Sequence, residues 1–261
     1  MKYLTPFLFA FLLACQPSKP ETAKASNAKY DPRIEPVLIT DKLPHDTDDP
    51  ALWIDPTEVS KSTVLGMDKE KNGGVYAFDL EGKIIHHKTI SPVERPNNID
   101  VEYGIVLGKD TIDIAVFTES FTEKLRVISM PDMSYVDGGG THVFVGETRP
   151  EARIPMGIGL YKDTASAKVY AMVSRRSGPT DGTYLWQYEL VVQDSTLTGE
   201  LVRKFGAYSG SGGIEAVAVD DELGYVYYSD ETSGIRKYYA HPDSSDRELA
   251  HFGTEDFLEE R

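Results

Sequence analysis

The chain of 261 residues has a single cysteine, Cys15, so no intramolecular disulfide framework can staple it. It has no HExxH pair, and its six histidines are scattered apart from His86-His87, which gives zinc no recognisable ligand set. GxxxxGK[ST] and GxSxG are both missing, so neither a phosphate-cradling P-loop nor a hydrolase nucleophile elbow has support. Positive charge is scarce: 27 Lys and Arg stand against 42 Asp and Glu, a net charge of −15. That balance opposes nucleic acid binding and suits cationic partners, or metal ions that bridge to anions. No stretch of a dozen residues carries a helical stripe.

What is present begins with "MKYLTPFLFAFLLAC". One Lys precedes an apolar run from Phe7 to Ala14 that is too short for a membrane-spanning helix. Leu12-Leu13-Ala14-Cys15 resembles a bacterial lipobox, which implies cleavage after residue 14 and lipidation of Cys15. An ordinary secretory signal is the plainer alternative. Residues 15–37, rich in Pro, Ala and Lys, read as anchor and flexible tether. The expected location is the cell envelope, by a lipid anchor (the outer membrane first), or release to the periplasm or exterior.

From residue 38 onward, short runs rich in Val, Ile, Tyr and Phe alternate with Gly, Asp, Asn and Pro. Examples are "TIDIAVFT" (111–118), "KVYAMVS" (168–174) and "YVYYSD" (225–230). Such runs predict an all-β fold. Roughly fifteen of them, several joined by turns such as "DLEGK" (79–83) and "DDELG" (220–224), suit a β-propeller of about four to five blades.

Acidic and amide clusters edge these runs. They are Asp46, Asp48 and Asp49; Asn97, Asn98, Asp100 and Glu102; Glu215, Asp220 and Asp221; and Asp230 with Glu231. Taken singly, each reads as a solvated turn. Taken together they offer the hard oxygen ligands that calcium prefers.

The segments "DDPALW", "GMDKEKNGGVYAFDLEGK", "RPNNIDVEYG", "MGIGLYKD" and "IEAVAVDDELGYVYYSDE" occur in an order and spacing that resemble the β-propeller phytases, over residues 38–260. The resemblance implies a six-bladed, Ca²⁺-dependent propeller that hydrolyses phosphate monoesters of phytate, acting as a monomer. It implies structural metal ligands at Asp49 and at the carbonyls of Pro50 and Val101, and further ligands at Asp48 and Asp100. Glu215 and Glu231, with Asp230, are expected to hold catalytic ions. Lys69 is expected to contact substrate phosphate, although in isolation it reads as a solvated lysine. Arg176 or its neighbour Arg175, and Asn98, complete the expected substrate contacts. Calcium would reconcile an acidic protein with a polyanion: two like charges about 4 Å apart cost about 4 kcal/mol at an effective dielectric of 20.

The pattern departs in two places. Ser120 stands where the resemblance implies an arginine, with Arg126 as a candidate replacement. Members of that family are also longer, so the sequence predicts a domain over 38–261 that lacks a C-terminal blade. The competing reading is a non-catalytic, lipid-anchored surface propeller that binds a glycan or a protein. A calcium-dependent lactonase is a third.

Overall fold

A computed structural model describes residues 35–254. The expected signal peptide, the lipid attachment at Cys15 and most of the tether lie outside the described residues, as does the end of the chain from 255.

The described chain is all-β, as expected: sixteen strands form four four-stranded antiparallel sheets, each built from consecutive strands. The first comprises β1 (Thr47–Trp53), β2 (Thr63–Asp68), β3 (Lys71–Phe78) and β4 (Ile90–Glu94). The second comprises β5 (Pro96–Leu107), β6 (Asp110–Glu119), β7 (Lys124–Met130) and β8 (Thr141–His142). The third comprises β9 (Pro155–Lys162), β10 (Val169–Arg175), β11 (Leu185–Gln193) and β12 (Thr196–Phe205). The fourth comprises β13 (Val217–Asp220), β14 (Tyr225–Asp230), β15 (Gly234–Tyr239) and β16 (Ala250–Phe252). Up-and-down four-stranded sheets repeated in this way are the blades of a β-propeller.

The blades stack through three apolar layers. Strand alternation assigns side chains to them, because successive residues face opposite sides of a sheet. On β6, Ala115 and Phe117 join Trp53, Leu65 and Met67 between the first two blades. Ile114 and Val116 face the other way, onto Ile158, Val173 and Trp186 of the third blade. On β10 the same rule sends Ala171 and Val173 back toward the second blade and Tyr170 and Met172 forward to Tyr228 and Tyr238 of the fourth. A strand buried on both faces needs apolar residues at every position, which is why these runs look continuous. The innermost strands pack in order, β1 on β5, β5 on β9 and β9 on β13.

Each innermost strand begins with one extra residue. Between β1 and β2 the pairing runs Thr47↔Asp68, then Pro50↔Gly66. Between β5 and β6 it runs Pro96↔Glu119, then Ile99↔Phe117. Between β9 and β10, Arg175↔Pro155 gives way to Val173↔Ile158. In the fourth blade Glu231 N–H donates to Gly213 O while Ser229 N–H donates to Ala216 O. The same bulge therefore recurs in all four blades, spanning 48–49, 97–98, 156–157 and 214–215. Bulges bend a strand and re-aim its side chains.

Candidate active site at the propeller mouth

These bulges carry Asp48, Asp49, Asn98 and Glu215 of the sequence-predicted residues, and several others lie close by. Two cavities collect them. The first, about 250 Å³, is lined by Arg95, Met156, Arg176, Gly212, Gly213, Glu215 and Glu231. It brings the acidic pair of the fourth blade together with one predicted arginine of the third. The second, about 430 Å³, runs along the inner strands and includes Asp49, Pro50, Asn98 and Asp100, facing Ala216, Val217 and Tyr228.

At the mouth, Glu231 accepts from Gly213 N–H at 2.7 Å. Burial pushes the Glu215 carboxyl above its ordinary value, opposed by nearby Lys69 and reinforced by Asp48 and Glu231. Lys69 follows β2 directly, and its backbone N–H donates to Asp46 O at 2.8 Å. Its Nζ lies 3.0 Å from Asp48 Oδ2 and 3.9 Å from Glu215 Oε1, so one ammonium bridges the first and fourth blades. The plain reading of Lys69 as a solvated turn residue does not hold, since only 17% of its side chain is exposed.

Arg175 and Arg176 separate cleanly. Arg175 ends β10 with its side chain fully buried. It donates to Glu147 Oε1 at 2.8 Å, Thr183 O at 2.8 Å and Tyr184 O at 2.9 Å, and it stacks over Phe144. It has a structural post, whereas Arg176, the other candidate, lines the mouth cavity. Asp230 is likewise absent from that cavity. It is completely buried, accepting from Ser209 N–H and Oγ and pairing with Arg236 Nε at 2.9 Å; it braces the turn that carries Glu231.

In the inner cavity, Asp49 Oδ2 accepts from Ile99 N–H at 3.0 Å, tying the first two bulges together. Asp100 accepts from Val101 N–H and Leu160 N–H, both at 2.8 Å. Burial raises the Asp100 carboxyl to about 6 against those hydrogen bonds. Asp49 is raised too, by burial first and by Asp48 in smaller part. Asn98 is buried, its N–H donating to Thr118 Oγ1 at 3.2 Å. Val101 pairs with Ala115 on the ladder and does not line this cavity.

Arg126 does not replace the cation missing at Ser120. Its Nε is 2.7 Å from Asp137 and its Nη1 3.0 Å from Glu119, and Tyr135 covers it. Ser120 itself is buried, with Oγ donating to Pro155 O at 2.9 Å. The residue that sequence reading missed is Arg95. An arginine before proline in "VERPNN" reads as a turn, and only its position beside the second bulge marks it.

The residues offer oxygen donors suited to a hard cation. Asp48 Oδ2 is enclosed without a well-formed hydrogen bond, and the buried Asp49 and Asp100 carboxylates share a cavity with Pro50. Among the described residues, however, no three His, Cys, Asp or Glu side chains stand together as a ready cluster. Backbone carbonyls would have to complete any such site.

Four consecutive four-stranded blades, with acidic and basic side chains mixed at one mouth, define a β-propeller. A sequence model of the phytase family matches residues 8–253, and the chain belongs to the β-propeller phytase family. The 3-phytase of Bacillus subtilis (strain 168) is 29% identical over 202 residues, covering 75% of this chain and 48% of the relative. The chain thus spans about half the length of that curated relative. Among solved structures, a protein of unknown function from Bacteroides caccae aligns with a TM-score of 0.48 and 11% identity, over 82% of this chain and 63% of the other. The computationally designed Ika8 protein gives 0.41 and 13%, over 79% and 49%. At that level of likeness neither adds to the fold or site described above.

Proposed function

We propose that this protein is a calcium-dependent phytase that hydrolyses phosphate monoesters of myo-inositol hexakisphosphate. The observation that carries the reading is the convergence of Glu215, Glu231 and Arg176 on one cavity, with Lys69 beside Glu215. Glu215 and Glu231 would hold the catalytic cation, and Asp49, Asp100 and the Pro50 carbonyl a second, structural one. Calcium bound at such a site supplies a more acidic water and neutralises phosphoryl oxygens. Arg176 offers a phosphoryl group two parallel N–H donors. Lys69, poised between Asp48 and Glu215, supplies an ammonium to an oxygen lying over that gap. Asp230 and Arg236 hold Glu231 in place from behind. Family membership and the 3-phytase relative support this assignment.

The test is phosphate release from phytate by the chain in excess calcium and in excess chelator. Release that stops with chelator is expected, and equal rates in both would overturn the metal dependence. Ser120, where the resemblance implies an arginine and where Arg126 supplies no replacement, favours a second reading, a non-catalytic surface propeller that binds a glycan or a protein; tight phytate binding or its turnover would remove it. Envelope anchoring through Cys15 belongs to the same proposal, supported by the Leu12–Cys15 pattern, and metabolic labelling with radioactive palmitate checks it.

A further inference from the structure

Arg95 lies on the connection between β4 and β5, and its geometry differs from that of the other buried or half-buried arginines. Arg126, Arg175, Arg203 and Arg236 each pair with a carboxylate. Among the described residues, Arg95 makes no ion pair and no side-chain hydrogen bond, and its Nη1 is buried without a partner. Arg95 lines the mouth cavity together with Arg176, and its guanidinium carbon lies 5.7 Å from the centroid of the Phe121 ring. A buried guanidinium nitrogen without an acceptor is costly.

The backbone around it is fixed. Arg95 adopts φ +59°, a left-handed conformation that a non-glycine residue holds only when its surroundings enforce it. Its N–H donates to Val93 O at 3.0 Å, and its O accepts from Ser120 N–H at 2.9 Å. Tight local bonds thus fix the backbone of a residue that lines the same cavity as Arg176.

We propose that Arg95 is a phosphate-binding residue of this mouth, forming with Arg176 a two-arginine clamp on one phosphoryl group of a polyphosphorylated ligand. The proposal rests on the phosphate-ester reading and adds to it a contact that sequence motifs did not assign. A planar guanidinium beside a ring can fork two oxygens of one phosphoryl group. The cavity, about 250 Å³, has room for one such group between the two arginines.

The test measures binding of myo-inositol hexakissulfate, a non-hydrolysed polyanion, by calorimetry, alongside phytate turnover. Arg95→Asn removes the charge with a residue that tolerates the left-handed backbone. It should weaken hexakissulfate binding by about tenfold or more, raise KM for phytate more than it lowers kcat, and leave the melting temperature of the ligand-free chain equal or higher. Arg95→Lys keeps a point charge without the fork and should fall between the two. If the Asn variant misfolds, the Lys variant alone decides, and wild-type affinity in it overturns the clamp. Hexakissulfate binding that needs Arg95 in a chain without phytate turnover keeps the clamp and removes the hydrolase. Turnover with affinities indifferent to residue 95 does the reverse. No binding by the unmodified chain overturns the clamp outright.

Discussion

The two cavities sit a few residues apart along the same inner strands and differ in one respect. The mouth mixes two arginines with two glutamates, whereas the inner cavity holds the carboxylates of Asp49 and Asp100 and no Lys or Arg. Mixed charge suits an anion that arrives with a counter-ion. Acid alone suits only a cation, or protons. Under the proposed function, the difference puts chemistry at the mouth and cation-coupled stability in the interior.

The largest break in that contrast is the double substitution Glu215→Ala with Glu231→Ala. It should cut phosphate release from phytate by about a hundredfold or more, with an unchanged melting curve. A matching loss of stability would place these residues in the framework instead.

Asp49→Asn should do the opposite. It relieves a desolvated carboxylate while keeping an oxygen for Ile99 N–H. In chelator the variant should be more stable than wild type at neutral pH by about 1 kcal/mol. It should also gain less from added calcium, read by thermal melts with and without the ion.

The smallest effect sharpens the comparison through pH. Asp100 is raised to about 6 and Glu102 to about 7, chiefly by burial. Raised carboxyls mean that the folded chain binds more protons than the unfolded one between roughly pH 4 and 7, so stability falls as pH rises through that window. In chelator the melting temperature should therefore decline by a few degrees from pH 5 to pH 7. Calcium should flatten the decline. A melting temperature that climbs over the same range would contradict the buried-acid account.

Much of the fold was legible because blade strands are buried on both faces, so "TIDIAVFT" and "KVYAMVS" announced themselves by composition. Strands that carry polar residues were harder. β5 runs through Asn97, Asn98, Asp100 and Glu102, and these read as a cluster rather than as ladder residues. The bulges were invisible, since register is a property of a pair of strands. That is why Asp230, next in sequence to Glu231, looked like a site residue and proved to be a buried brace. Arg175 and Arg176 could have been told apart by alternation: adjacent residues at a strand end face opposite sides, and only one could reach the mouth. Arg95 carried no compositional signal; its importance comes from a missing partner, which only coordinates reveal.

Position 157 gives the third blade's bulge a different character from the rest. A Cβ there would stand 2.0 Å from the Glu215 carbonyl oxygen, and Gly157 N–H is already held by Ser174 Oγ at 2.8 Å. A single hydrogen atom thus sets how closely the segment carrying Glu215 can approach its neighbour. On the third blade the bulge thus offers no side chain at position 157, and Arg176, just past the end of the neighbouring strand, lines the mouth instead.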